Sequence, residues 1–499
     1  MHIFVPTSKR AEVKTSINIK AISANVGRAL LVNALFMLCS IIVSIIYGYD
    51  EAFTPLAISF LITALTGAFP FIFIKSPSAM SLKDSYLTIV LTWLLSFIFG
   101  MLPYVLYGGE FTIINAWFES VSGYTTTGST ILTDIESLPK SLLFWRSSTH
   151  FIGGLGVIVF LLIIIPGASP LKYRLSNLEL SSLSKDRYSY RSGTIVRVMT
   201  SVYIGLTIIE TLLLWAAGMS LFDAVNHSFS TVATGGFSTR NMSVMYYESN
   251  IINIILMLFM ILSSMHFGVL YATVIHRSVK PLRHPVTKYY LGVIAVVAVL
   301  VSLALKFNSQ DSWGECLMAG SFQTISYIST TGFGQSDNAA WPAMANALLI
   351  FAAFHCGCSG STTGGLKADR VLISFKALAN DTKKRLHPHS MFRTKVGGHV
   401  VSEELTSSVF LYIVIYFAIV IISLIALLLC GVELSEAFSG SVASLGNVGP
   451  GTGVLGTMGN YGAQPIAAKI IYTLDMFLGR VEIFPLMIVI SMIFSRRDD

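Results

Sequence analysis

The sequence predicts an all-α integral membrane protein of about ten transmembrane helices, two extra ones at the N-terminus and then four unequal copies of a helix, re-entrant loop, helix unit. Three observations carry that prediction. Apolar residues make up 54% of the 499-residue chain and charged residues only 12%, about half the charged share of an ordinary soluble domain. Ten largely uncharged runs recur along the chain, each near the roughly 20 helical residues that cross a hydrocarbon core. Four short polar segments rich in Gly and Thr stand between runs, and aligned on Gly128, Gly236, Gly332 and Gly449 they are 108, 96 and 117 residues apart.

The runs are 29–49, 52–74, 85–109, 147–171, 198–222, 249–276, 289–305, 338–366, 405–432 and 470–494. Glu210 alone interrupts the fifth, and the last carries internal charges. The first run follows a basic stretch, is long, lacks a small-residue cleavage site and leads straight into the second, so it reads as a retained helix and not as a signal peptide. The longest polar segments, 172–197 and 367–404, are predicted loops.

Orientation follows from the basic residues, because positive loops stay in the cytoplasm. With both termini inside, all but six of the 33 Lys and Arg fall on the cytoplasmic side; the exceptions are Lys140, Arg146, Arg240, Lys306, Lys469 and Arg480. The net charge of +7 therefore reads as topology, and no nucleic-acid partner is needed to explain it. Asp50, Glu51, Glu110, Glu119, Asp134, Glu136, Asp223, Glu248, Asp311, Glu315, Asp337, Glu433 and Glu436 fall outside. They read either as solvated loops or as a vestibule that concentrates cations. The five cysteines form no CxxC pair and stand near no His at ligand spacing, which argues against a metal centre or a disulfide framework.

Each Gly-rich segment follows a stretch able to form a short half-helix: 115–122, 222–230, 312–325 and 433–444. The segments read Gly123-Tyr-Thr-Thr-Thr-Gly128, Ala233-Thr-Gly-Gly236, Ser329-Thr-Thr-Gly332 and Gly446-Asn-Val-Gly449. Irregular backbone at membrane depth is tolerable only inside protein or along a water-filled path. Glycine permits positive φ, so carbonyls of consecutive residues can turn to one side. Four such strands around one axis give rings of oxygen that replace a cation's hydration shell, with the negative ends of the half-helices aimed at the same axis. Close helix packing through small residues is the competing explanation of any single copy; four copies in matching hydropathy units favour the pore.

These residues resemble the TrkH and KtrB superfamily of potassium uptake proteins, the TrkH branch most. Trp145-Arg146 followed by Gly153-Gly-Leu-Gly156, Asn447-Val-Gly-Pro-Gly451 and Leu478-Gly-Arg-Val-Glu-Ile-Phe484 carry the resemblance, which spans nearly the whole chain. It implies potassium uptake through a selectivity filter formed by Thr126, Thr127 and Gly128, by Thr234, Gly235 and Gly236, by Thr330, Thr331 and Gly332, and by Asn447, Val448 and Gly449. The fourth segment departs from the Thr-rich pattern, and none has the longer five-residue signature of dedicated potassium channels, which leaves sodium or rubidium passage open. The implied division is 1–78 for the N-terminal segment and two extra helices, then pore repeats at 79–175, 190–280, 284–376 and 400–499. The resemblance further implies a homodimer in the bacterial inner membrane on cytosolic nucleotide-binding regulatory subunits of the TrkA type. No nucleotide-binding or other cofactor motif is present on this chain; K+ is expected as the transported ion.

The eighth run ends in Cys356-Gly-Cys-Ser-Gly-Ser-Thr-Thr-Gly-Gly-Leu366. Its four glycines cost a helix about 1 kcal/mol each relative to alanine, so the helix should break there. Residues Gly357, Ser359, Gly360, Ser361, Thr362, Thr363, Gly364 and Gly365 are then a candidate gate loop, the alternative being a packing kink; the family implies an obstructing intramembrane loop here. Arg480 lies deep in the last run, where a charge costs at least about 2.5 kcal/mol unless paired or hydrated. Asp475, Glu482 or Glu210 are candidate counter-ions, while the family implies a pore-facing arginine below the filter. His150, His227, His266 and His355 read as structural.

Two other function classes remain at this point. An ion-coupled secondary transporter has broken helices too, but inverted repeats would put successive loops on opposite faces, and the charge map puts all four outside. An intramembrane enzyme lacks its motifs: the run 358–361 offers hydroxyls without a base, and no paired aspartyl or zinc signature is present.

Overall fold

The computed structural model describes residues 17–74, 80–164 and 192–494. The basic residues assigned to segment 1–16, to Lys75, to most of the second cytoplasmic loop and to Arg496 and Arg497 lie outside the described residues.

Two long helices, α1 (Ile19–Ile46) and α2 (Phe53–Phe73), form an antiparallel hairpin. Their crossing is set by Gly27 and Gly67: a Cβ on Gly27 would lie 2.6 Å from the Gly67 carbonyl oxygen, and one on Gly67 would lie 3.0 Å from that of Gly27. Small residues let backbones approach where lipid removes the hydrophobic drive between helices.

Four units follow. The first has an outer helix α3 (Leu82–Gly100) continued by α4 (Leu102–Tyr107), a half-helix α5 (Ile113–Tyr124) and an inner helix α6 (Lys140–Ile164). The second has α7 (Ser192–Ala216), half-helix α8 (Leu221–Val232) and an inner helix split into α9 (Asn250–Ser264) and α10 (Phe267–Ile275). The third has α11 (Pro285–Asn308), half-helix α12 (Trp313–Ile328) and α13 (Ala343–His355), followed by a non-helical stretch and α14 (Ala368–Leu386). The fourth has α15 (Glu403–Leu429), half-helix α16 (Leu434–Leu445) and an inner helix split into α17 (Ile466–Val481) and α18 (Ile483–Phe494).

The half-helices start where their caps dictate. Thr112, Ser220 and Ser312 each accept a bond from the amide three residues on, relieving one orphan donor per helix. Ser312 with Glu315 completes a capping box.

Each of the ten apolar runs contains helix, but six helices are long and apolar enough to cross a membrane among the described residues, seven if α9 and α10 count as one span bent by 104°. Of the other three runs, only the one ending at α13 and the last stop short. Side chains of α6 past residue 156 lie outside the description, α13 stops at His355 where the glycine-rich stretch begins, and the last run breaks at Glu482. The segment 367–404 is also not simply a loop. It holds α14, whose Leu372, Ile373 and Ala377 are buried at helical spacing and whose last turn carries Lys383, Lys384 and Arg385, the sign a helix C-terminus favours. A two-residue hairpin, β1 (Lys395–Val396) paired antiparallel with β2 (His399–Val400), turns on Gly397-Gly398, both at positive φ, as a primed turn requires.

Candidate cation pathway

Each half-helix ends in the same turn. Thr126, Thr234, Thr330 and Asn447 adopt φ of 52°, 56°, 56° and 54°. Their amides return to the carbonyls three residues back, and the next amides reach five back: Thr127 to Ser122, Gly235 to Ser230, Thr331 to Ser326 and Val448 to Ala443, at 2.7–2.9 Å. This is the Schellman pattern, with a left-handed residue just past the helix. Two residues on, Gly128, Gly236, Gly332 and Gly449 sit at φ of 82°, 85°, 80° and 98°. Four unlike sequences thus share one backbone path.

The glycines bring the strands together. A Cβ at Gly128 would fall on the carbonyl oxygen of Gly235, one at Gly236 on that of Thr331, one at Gly332 on that of Val448, and one at Gly449 on that of Thr127. The contacts run from strand one to two, three, four and back to one, so the strands close a ring. Among the described residues, no hydrogen bond is accepted by the carbonyl oxygens of Thr126, Thr127, Thr234, Gly235, Thr330, Thr331, Asn447 or Val448. All eight residues are buried, and buried carbonyls without a donor are what a dehydrated cation satisfies.

Polar side chains brace the ring from behind. Ser129 Oγ and Tyr461 Oη both donate to the Gly449 carbonyl at 3.0 Å, and Ser326 Oγ donates to that of Phe333 at 2.7 Å. His150 stacks on Phe237 at 4.1 Å and meets Ser230 Oγ at 3.2 Å. Its ring lies against Gly235, where a Cβ would clash with it. The other three histidines also have partners: His227 bridges the Asp223 carbonyl and Ser238 Oγ, His266 caps α10, and His355 meets the Cys356 carbonyl.

Two of the acids read as solvated loops or as an outer vestibule are instead paired with arginines. Glu119, fully buried, pairs with Arg146 at 2.7 Å and accepts from Thr130 Oγ1 and the Ile131 amide. Arg146 also covers the Phe237 ring at 4.0 Å and donates to the Ser238 carbonyl, so one ion pair fixes the segments beyond strands one and two. Asp223 pairs with Arg240 at 3.0 Å. Removing one member of a buried pair strands the other charge and costs about 3–5 kcal/mol. Glu119→Ala is therefore expected to lower the thermal unfolding temperature of the detergent-solubilised protein sharply, and an unchanged transition would mean that the pair contributes nothing.

Below the ring, Cys356 to Lys367 run without helix. Their backbone groups are satisfied by the break in the second inner helix: the Cys358 amide donates to the Ser264 carbonyl at 2.9 Å, and the Phe267 amide to that of Gly360 at 3.1 Å. The Ser359 amide donates to the Asp369 carboxylate, and Thr362 Oγ1 to the carbonyl of Val232, the last residue of the second half-helix, at 3.0 Å. Gly364 abuts the Gly446 carbonyl and the Asn447 side chain, and Gly357 the Ser264 carbonyl and Thr363. Ser361 Oγ meets Thr363 Oγ1 at 2.8 Å, and the Lys367 ammonium folds back on the Thr363 carbonyl. Gly365 leans on Cys356. Both ends of the stretch are strained, Cys356 at φ 54° and Lys367 at φ 69°, a conformation of order 1–3 kcal/mol for non-glycine residues.

Arg480 holds this stretch. One guanidinium nitrogen donates to the Thr362 carbonyl and the other to that of Gly153 on α6 at 3.1 Å. None of the three acids considered as counter-ions pairs with it. Asp475 accepts from Ser423 and Ser441, Glu482 pairs with Arg370 at 2.9 Å, and no ion pair to Glu210 is present among the described residues.

Four helix, re-entrant strand, helix units closed around a ring of carbonyl oxygens, with a cationic side chain and an irregular loop beneath, define a membrane protein that moves cations along its own axis. The profile of the cation transport protein family TrkH matches residues 54–496, and the chain belongs to that family. It is 36% identical over 418 residues to the Trk system potassium uptake protein TrkH of Salmonella typhimurium, covering 83% of this chain and 86% of that one. The Escherichia coli K12 protein of the same description is 34% identical over 428 residues, covering 85% and 88%. The crystal structure of the potassium transporter TrkH from Vibrio parahaemolyticus superposes with a TM-score of 0.85 at 30% identity, over 95% of this chain and 98% of that one.

Proposed function

We propose that this chain takes up K+ across the bacterial inner membrane, as the transmembrane subunit of a Trk-type system. The closed ring of buried carbonyls without donors supports the reading most directly. In it, K+ is the cargo, Thr126 to Gly128, Thr234 to Gly236, Thr330 to Gly332 and Asn447 to Gly449 form the filter, and the loop 357–365 with Arg480 forms the gate. The division of the chain into an N-terminal part and four repeats belongs to the same reading, as do cytoplasmic termini. The names of the relatives, which assign them to a Trk system, support association with other Trk components; a homodimer on a nucleotide-binding cytosolic subunit is the arrangement we propose. The exposed basic turn of α14 offers that subunit a surface.

Potassium and sodium gradients imposed on liposomes holding the purified protein test this. The reversal potential is expected to follow the potassium gradient, and a potential indifferent to potassium would refute the proposal.

A further inference from the structure

Three of the four left-handed positions in the filter are Thr and the fourth is Asn447. The Thr side chains stay local. Among the described residues the Thr126 and Thr330 hydroxyls have no partner, and Thr234 Oγ1 donates to the carbonyl of its own neighbour, Ala233. Asn447 alone among them reaches out: its amide nitrogen donates to Thr127 Oγ1 of strand one at 3.0 Å and to the Met476 carbonyl of α17 at 2.9 Å. Thr127 Oγ1 in turn meets Thr125 Oγ1 at 2.8 Å.

The Met476 carbonyl is the one that an α-helix pairs with the amide four residues on, here the amide of Arg480. Asn447 Oδ1, which accepts no hydrogen bond among the described residues, points at two glycines: a Cβ on Gly479 would lie 2.7 Å from it, and one on Gly364 of the intramembrane loop would collide with it. One fully buried side chain therefore touches filter strand one, the helix turn that carries Arg480, and the loop that Arg480 grips. Any movement of α17 or of Gly364 must shift this amide or break its bonds, because buried side chains packed at native density have nowhere to relax.

We propose that Asn447 is the positioning residue through which the intramembrane loop and the last inner helix set the geometry of the filter, so that ion discrimination depends on the state of the gate. The inference rests on the filter and gate reading given above and adds a coupling between the two. A threonine at 447 repeats the residue that the other strands hold at this backbone angle, so Asn447→Thr is compatible with the fold and removes the cross-tie alone.

The test is a double-mutant cycle of Asn447→Thr and Arg480→Gln, read as the potassium to sodium permeability ratio in liposomes. Contacting residues couple non-additively, and the ratio is expected to depart from additivity by about fivefold or more, with Arg480→Gln altering the ratio when Asn447 is present and not when Thr replaces it. Thr127→Val, which removes the acceptor at the other end, is expected to give the same loss of coupling in its own cycle with Arg480→Gln. Additive cycles in both cases overturn the proposal while leaving the potassium reading intact. A wild-type protein without potassium-dependent reversal overturns that reading and this inference with it.

Discussion

Gly332→Ser is expected to abolish most discrimination between potassium and sodium. Position 332 has φ of 80°, so any side chain there carries strain of order 1–3 kcal/mol. The new Cβ would also fall on the Val448 carbonyl oxygen and lie 2.9 Å from Pro450 Cδ. The carbonyl oxygen is the nearer of the two, so it is the group that must move. Displacing one ring oxygen changes the number and field of ligands around a dehydrated ion, and about 1.4 kcal/mol of lost preference is already tenfold. The permeability ratio from reversal potentials is thus expected to fall by at least about tenfold. Gly205→Ser serves as control, because a Cβ there meets nothing within 4 Å. A folded Gly332→Ser protein with an unchanged ratio would mean that strand three does not contact the ion.

The four ring glycines were readable from the chain because their requirement is local: a positive φ after a polar half-helix in an apolar setting calls for glycine. The left-handed backbone two residues before each of them was not. Thr126, Thr234 and Thr330 occupy a left-handed region that β-branched side chains avoid, held there by the paired amides that close each half-helix. The break at Met265 and His266 was equally hidden within one apolar run, since nothing in Ser263-Ser264-Met265-His266 stops a helix. The chain departs there because the loop residues Cys358 and Gly360 take up the freed backbone groups, a partnership 90 and more residues away in sequence.

Charge misled in one direction. Acidic residues read as solvated loops or as an outer vestibule included Glu119 and Asp223, both buried against arginines. Their short spacing to Arg146 and Arg240 carried the only signal, and pairing over 27 residues on different elements has no periodicity to reveal it. The polar segment 367–404 likewise contains α14, whose buried stripe of Leu372, Ile373 and Ala377 is too narrow to stand out among lysines.

Arg480→Gln is expected to raise basal cation flux by about tenfold without unfolding the protein. Two effects point the same way. The guanidinium presents a positive charge that no neighbouring acid neutralises among the described residues, and at an effective dielectric constant near 20 a like charge about 10 Å from a permeant cation costs it about 1.7 kcal/mol. The same group clasps the carbonyls of Thr362 and Gly153, so its loss frees the strained stretch between Cys356 and Lys367. Arg480→Lys separates the two: it keeps the charge but, as a single ammonium, lacks the fixed fork that reaches both carbonyls. If the clasp dominates, the lysine variant leaks like the glutamine one; if the charge dominates, it stays near wild type. Tracer flux into liposomes at matched protein density measures both, and wild-type flux in both variants would remove Arg480 from the gate altogether.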